Sequence, residues 1–109
     1  MEKRGNDRTR KRLKVRYGKQ KVEKTGFTKN VSIGGLNIRT NNVFPPGTTL
    51  LVEITFPERS FSLWGRVRWA KQVPAAMAHV LDCGMGIAFV QPPEDWREFF
   101  ERWQAGGAK

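Results

Sequence analysis

The residues best suited to ligand chemistry in this chain fall in two short clusters. The first is Arg8-x-x-x-Arg12, with Arg10 and Lys11 between the two arginines. A guanidinium is planar and always charged, so it contacts phosphate oxygens, or guanine O6 and N7, in pairs, and it stacks on a purine face. The second cluster is Asn30-x-Ser32-x-x-Gly35. Asn30 and Ser32 supply short polar side chains for base edges or phosphates, and Gly34-Gly35 lets the backbone come close where a Cβ would collide. Each pattern also has an ordinary reading, as a solvated basic tail and as a turn whose Asn and Ser bond their own backbone. Trp69 closes the run of alternating residues that begins at Phe61. It shares its parity with Phe61, Leu63 and Val67, which places it in the core unless a bulge or the strand's end turns it outward.

Charge agrees with an anionic partner but does not choose one. Eleven of the twenty Lys and Arg lie in residues 1–24 against Glu2, Asp7 and Glu23, so this segment holds +8 of the formal +10. Nucleic acid, an acidic membrane surface and a phosphorylated small ligand all fit such a footprint. The chain has 109 residues, one domain's worth, which suits a small binding module. No apolar run reaches the length of a membrane span and no signal core follows the charged N-terminus, so the expectation is a cytoplasmic protein without membrane insertion. Lone Cys83 and lone His79 make neither an intramolecular disulfide nor a zinc pattern, and provide no nucleophile, base and orienting group together. No metal, no cofactor and no enzyme activity are expected.

The elements that must position these residues follow from periodicity. Residues 1–12 lack the apolar side chains that would offset the entropy of folding, and read as a flexible basic arm. Leu13, Val15 and Tyr17 then alternate with polar neighbours, the period-two mark of a strand with one buried face. After a polar turn at 23–26, residues 27–31 read as a second strand and 36–40 as a third. Asn41-Asn42 and Pro45-Pro46-Gly47 reverse the chain. Leu50, Val52, Ile54 and Phe56 mark a fourth strand, and Phe61, Leu63, Val67 and Trp69 a fifth. Residues 74–78 are loop, and 86–90 a sixth strand, with Cys83-Gly84 at its entrance. Trp96, Phe99, Phe100 and Trp103 stand at i, i+3, i+4 and i+7, one face of an amphipathic helix, and Pro93, Glu94 and Asp95 suit its first turn. The fold class is mainly β, a small six-stranded antiparallel barrel whose helix caps an open end or packs on the wall. Its parts are the arm (1–12), the barrel (13–91) and the helix with its tail (92–109).

With both clusters in this order, the chain resembles the PilZ domain family. That family places an Arg-x-x-x-Arg arm before the first barrel strand and Asp/Asn-x-Ser-x-x-Gly about twenty residues later. Pro46-Gly47-Thr48, Gly65-Arg66-Val67, Gly86-Ile87-Ala88-Phe89 and the aromatic terminal helix extend the likeness over nearly the whole chain. Arg12-x-x-x-Arg16 also fits the arginine pattern, but Arg16 falls inside the first strand, whereas Arg12 directly precedes it. Asn30 stands where Asp is commoner in the family, which removes one formal negative charge. The resemblance implies a bacterial cyclic di-GMP receptor, with the ligand clamped between Arg8 and Arg12 on the arm and Asn30, Ser32, Gly34 and Gly35 on the barrel. Arg10, Lys11 and Trp69 are further candidate contacts, Trp69 because some members of the family place an aromatic followed by Ala and a basic residue, here Trp69-Ala70-Lys71, beside the bound guanine, where stacking adds about 1 to 3 kcal/mol per base. Ordering of the arm would change a surface offered to a protein effector in trans. The alternatives are a small barrel that binds nucleic acid through the arm and the Trp64, Arg66 and Arg68 face, and a PilZ-like scaffold for protein contacts without ligand.

Overall fold

The computed structural model describes residues 11–77 and 83–107. Six strands close a barrel: β1 (Lys14–Gly18), β2 (Lys24–Ser32), β3 (Gly35–Arg39), β4 (Thr49–Thr55), β5 (Ser60–Lys71) and β6 (Gly84–Phe89). All pairs are antiparallel and follow the order β1-β2-β3-β6-β5-β4, with β1 pairing β4 to complete the circle. The alternation that marks each strand is the barrel's inside and outside. Val15, Tyr17, Leu36, Ile38, Leu50, Val52, Ile54, Leu63, Val67, Met85 and Ile87 fill the interior, each at most 3% exposed.

Two strand boundaries differ from the periodicity reading. Residues 24–26, expected in a turn, already pair with β1 through Val15–Gly26, Arg16–Thr25 and Tyr17–Lys24. The reversal therefore lies at 19–23, where Arg16 Nη2 donates to the Val22 carbonyl. Lys24, Thr25 and Gly26 carry no apolar alternation because Gly26 supplies the inward position, where a Cβ would meet Ile38 Cγ2 at 2.6 Å. The last strand likewise begins at Gly84 rather than Gly86, since Arg39–Gly84 and Lys71–Gly84 pairs hold it on both sides.

One end of the barrel is closed by α1 (Glu94–Gly107). Its Trp96, Phe99 and Trp103 meet Phe56 from the β4–β5 turn, Trp96 and Phe99 also meet Phe61 at the start of β5, Trp96 meets Phe89 at the end of β6, and Phe100 lies between Trp96 and Trp103. Most of these contacts are edge-to-face or tilted, the geometry that ring quadrupoles favour. The helix therefore plugs an end rather than covering a wall. Arg59 lies over the Phe61 ring at 4.0 Å and roofs the cluster.

At the other end Tyr17 meets Phe44 edge-on at 6.1 Å, and Val43 and Phe44 pack against the core. The Tyr17 hydroxyl bonds the Asn42 carbonyl (2.6 Å) and Thr40 Oγ1 (2.7 Å), tying the 40–48 segment across the opening. That segment turns at Gly47, whose φ of +94° needs a residue without a Cβ. Burial pushes the Tyr17 phenol above its ordinary value, partly opposed by the Thr40 hydrogen bond. The fold thus prefers the neutral phenol. Its contribution is complete below the unfolded value of about 10 and is lost as pH rises through the raised folded value. Urea denaturation from pH 8 to 11 should show an alkaline loss that is shallower in Tyr17→Phe; identical slopes would remove Tyr17 as the cause.

Candidate ligand-binding wall

The wall formed by β2, β3, β6 and β5 carries the candidate site on its outer face, and two bulges decide what faces outward there. On β2 the register shifts between Thr28 and Asn30, so Lys29 is the extra residue. On β5 it shifts between Val67 and Trp69, so Arg68 is extra. An extra residue reverses the side on which the following residues emerge. Before the second bulge Phe61, Leu63 and Val67 point inward; after it Ala70 packs against the core, and Trp69 is 47% exposed. The strict alternation that would bury Trp69 is broken one residue before it.

The result is a continuous row across four strands, Asn30–Asn37–Gly86–Trp69, each adjacent pair in register. Gly86 is the floor under Trp69, for a Cβ on it would lie 2.0 Å from the indole Nε1. On one side of Trp69 is a depression of about 250 Å³ lined by Gly34, Gly35, Asn37, Arg68, Gly86 and Ala88, among others. On the other is a smaller one of about 180 Å³, where Lys29, Arg39 and Lys71 join Asn37 and Gly84. Among the described residues the lining of the two holds four cations and no acidic side chain, an arrangement that suits an anion.

The turn at the top of this wall is braced from three directions. Ser32 Oγ donates to the Gly35 carbonyl (3.2 Å), Phe89 N–H to the Gly34 carbonyl (2.9 Å), and Trp96 Nε1–H to the Ile33 carbonyl (2.9 Å). Ser32 is 2% exposed, so in this state its hydroxyl shapes the turn rather than facing solvent. Gly35 is needed for a similar reason: a Cβ there would lie 2.2 Å from the Ile87 carbonyl oxygen of β6, which makes close strand packing its first requirement. Gly34 is exposed at the tip and Asn30 half-buried.

Of the arm, Lys11 and Arg12 lie among the described residues, whereas Arg8 and Arg10 lie outside them, as does His79. The Arg12 guanidinium sits 4.1 Å from the centroid of Phe27, on the same strand as Asn30. Lys11 and Arg12 also border a cleft of about 470 Å³ with Leu13, Pro57, Glu58 and Trp103. Although larger, that cleft lacks the row of polar and small residues found on the wall.

Over residues 2–104 the sequence matches the model of the PilZ domain. The chain belongs to the PilZ domain family. Its fold is similar to that of the Bacillus subtilis inhibitor of motility MotI/DgrA, with a TM-score of 0.75 at 19% identity over 97% of this chain and 54% of that one. This chain thus spans about half the length of that protein. The PilZ domain of CeSA from a cellulose-synthesizing bacterium is also similar, with a TM-score of 0.63 at 13% identity, covering 94% of this chain and 99% of that one. No curated protein sequence matches the chain. PilZ domains are generally cyclic di-GMP receptors and typically non-catalytic. No helix among the described residues is long and apolar enough to cross a membrane, and no three His, Cys, Asp or Glu among them gather as metal ligands.

Asn37 and the Lys29, Arg39 and Lys71 group did not stand out in the sequence, where Arg68 was read only as part of a nucleic-acid face and Gly86 only as part of the family likeness. Asn37 occupies an outward position of β3 and could have been found by parity. Arg68 and Gly86 acquire their places from the β5–β6 register, which no local pattern announces.

Proposed function

We propose that this PilZ domain is a receptor for cyclic di-GMP, held between the arm arginines Arg8 and Arg12 and the Asn30–Gly35 turn, with Trp69 as a stacking platform. The observation that carries the reading is the Asn30–Asn37–Gly86–Trp69 row: an exposed indole lies beside two amides on a glycine floor, flanked by cations on both sides. A guanine can stack on the indole while its edge meets Asn30 or Asn37, and its phosphates find Arg12, Arg68 or the Lys29, Arg39 and Lys71 group. Ser32, Gly34 and Gly35 serve by fixing the turn and keeping it low. Lys11 and Arg10 add positive charge along the arm. The receptor acts from the cytoplasm on a protein effector, through the surface that the ordered arm and ligand form together.

Calorimetric titration of cyclic di-GMP at near-physiological salt, with GTP as control, tests this directly. Saturable binding of cyclic di-GMP without binding of GTP is the expected result; a folded sample that gives no heat would overturn it. The role of Trp69 has its own check in Gly86→Ala. The new methyl would displace the exposed indole, which can swing away at little cost in stability. Affinity should then fall by up to the about 1 to 3 kcal/mol of one stacking contact, with altered tryptophan emission. Unchanged affinity would remove Trp69 from the site.

A second reading rests on the neighbouring outer positions of β5, where Trp64 is 47% exposed with Arg66 on the same face. This pair would let the barrel bind single-stranded nucleic acid, with affinity falling steeply as salt rises. An oligonucleotide salt series distinguishes it, because Asn30→Ala would leave such binding unchanged.

A further inference from the structure

We infer that Thr28 is a positioning residue for the ligand site, a buried latch that fixes the base of the arm so that Arg12 is presented on the wall. The inference rests on the receptor reading above and assigns a role to a residue outside both motifs. Thr28 is 4% exposed, one of two buried polar residues among those described, and its side chain and backbone both face the arm. Its Oγ1 accepts the Leu13 N–H at 2.8 Å and donates to the Lys11 carbonyl at 2.8 Å. Its own N–H donates to the Leu13 carbonyl at 2.8 Å. These three bonds take hold of the residues on either side of Arg12.

The placement explains why Arg12 lies over Phe27, the residue next to Thr28. Lys11 and Leu13 are tied down, so the side chain between them is directed to the outer face. Beyond Thr28 the same strand makes its bulge at Lys29 and continues to Asn30 and Ser32. The arm's anchor and the polar turn therefore share five consecutive residues of β2. A ligand gripped by both pulls against one short segment that three hydrogen bonds tie to the base of the arm. Losing the hydroxyl frees Arg12 before binding, and its ordering then opposes association. It also leaves the Leu13 N–H and the Lys11 carbonyl without this partner.

Thr28→Val keeps the shape and strand preference while removing the hydroxyl; Thr28→Ser keeps the hydroxyl. The expected result is that the Val variant binds cyclic di-GMP about tenfold more weakly, the scale of re-ordering one released residue on binding, while the Ser variant stays within about twofold of wild type. Amide exchange at Leu13 should accelerate in the ligand-free Val variant and not in the Ser variant. Equal affinity of Val variant and wild type overturns the latch, as does a Ser variant as weak as Val, which would assign the effect to packing. Should the Val variant fail to fold, rapid exchange of the Leu13 amide in the wild-type protein would overturn it as well. Absence of any binding by folded wild type overturns the receptor reading and this role with it. Equal affinity in the Val variant beside normal wild-type binding overturns only the role of Thr28.

Discussion

Replacing Arg12 by alanine is expected to weaken cyclic di-GMP binding about tenfold or more while leaving the barrel folded. A charge-assisted hydrogen bond contributes about 1.5 to 3 kcal/mol, and about 1.4 kcal/mol is a factor of ten in affinity. The ligand-free state sets a limit on that gain. There the guanidinium already lies on Phe27, an exposed cation–π contact worth about 0.5 to 1 kcal/mol, which the ligand must retain or outcompete. The phosphate interaction is the larger of the two, so the net effect of the mutation falls on binding. Loss of the exposed contact changes stability only slightly. Arg12→Lys should recover only part of the affinity, since an ammonium keeps the charge but not the paired geometry. Arg8→Ala carries the same expectation from the sequence motif. Calorimetry on the three variants is the check; wild-type affinity in both alanine variants would sink the clamp.

The largest loss of stability is expected at Trp96, far from the arm in sequence yet bonded to the turn. Its ring is fully buried and touches Phe56, Phe61, Phe89 and Phe100, and its Nε1–H reaches the Ile33 carbonyl. Truncation of such a residue to alanine costs about 3 to 5 kcal/mol, a large share of the about 5 to 15 kcal/mol typical of a whole domain. Trp96→Ala should therefore unfold at much lower urea concentration than wild type. Trp96→Phe separates packing from the hydrogen bond. It keeps an aromatic in the plug but leaves the Ile33 carbonyl without its donor, at a cost of about 1 to 3 kcal/mol. Ile33 sits inside the Asn30–Gly35 turn, so the Phe variant should also bind ligand less well at temperatures where it is fully folded. A urea midpoint for Trp96→Ala equal to that of wild type would show that the helix is not the stopper of the barrel.

Both expectations depend on different kinds of information. The two motifs that define the candidate site are contiguous runs, legible because arginine forks, short polar side chains and glycines have the same chemistry wherever they fold. Strand content was equally legible: Leu50, Val52, Ile54 and Phe56 alternate without interruption, and the same parity turned out to be the barrel interior. The helical face of Trp96, Phe99, Phe100 and Trp103 was plain from spacing, but whether it met an end or a wall was not. Spacing specifies which side is apolar and says nothing about what covers it. The β1–β2 reversal was misplaced because Gly26 fills an inward position without an apolar side chain.

What the sequence determined by itself is the set of elements and the chemistry available to them. Each strand's alternation and the helix's four-residue spacing act over a few neighbours, and Arg12, Asn30 and Ser32 are set in their segments by chain order alone. What only the tertiary structure decided is which of these side chains meet. Trp69 is the clearest case, since its parity assigned it to the core and the bulge at Arg68 turned it onto the wall. A bulge exists only as a difference in residue count between two paired strands, so it cannot be read from β5 without β6. The row Asn30–Asn37–Gly86–Trp69 depends likewise on three registers between residues as far apart as 30 and 86. Those registers are fixed by burying one face of every strand at once, a condition the closed barrel satisfies and no single segment contains.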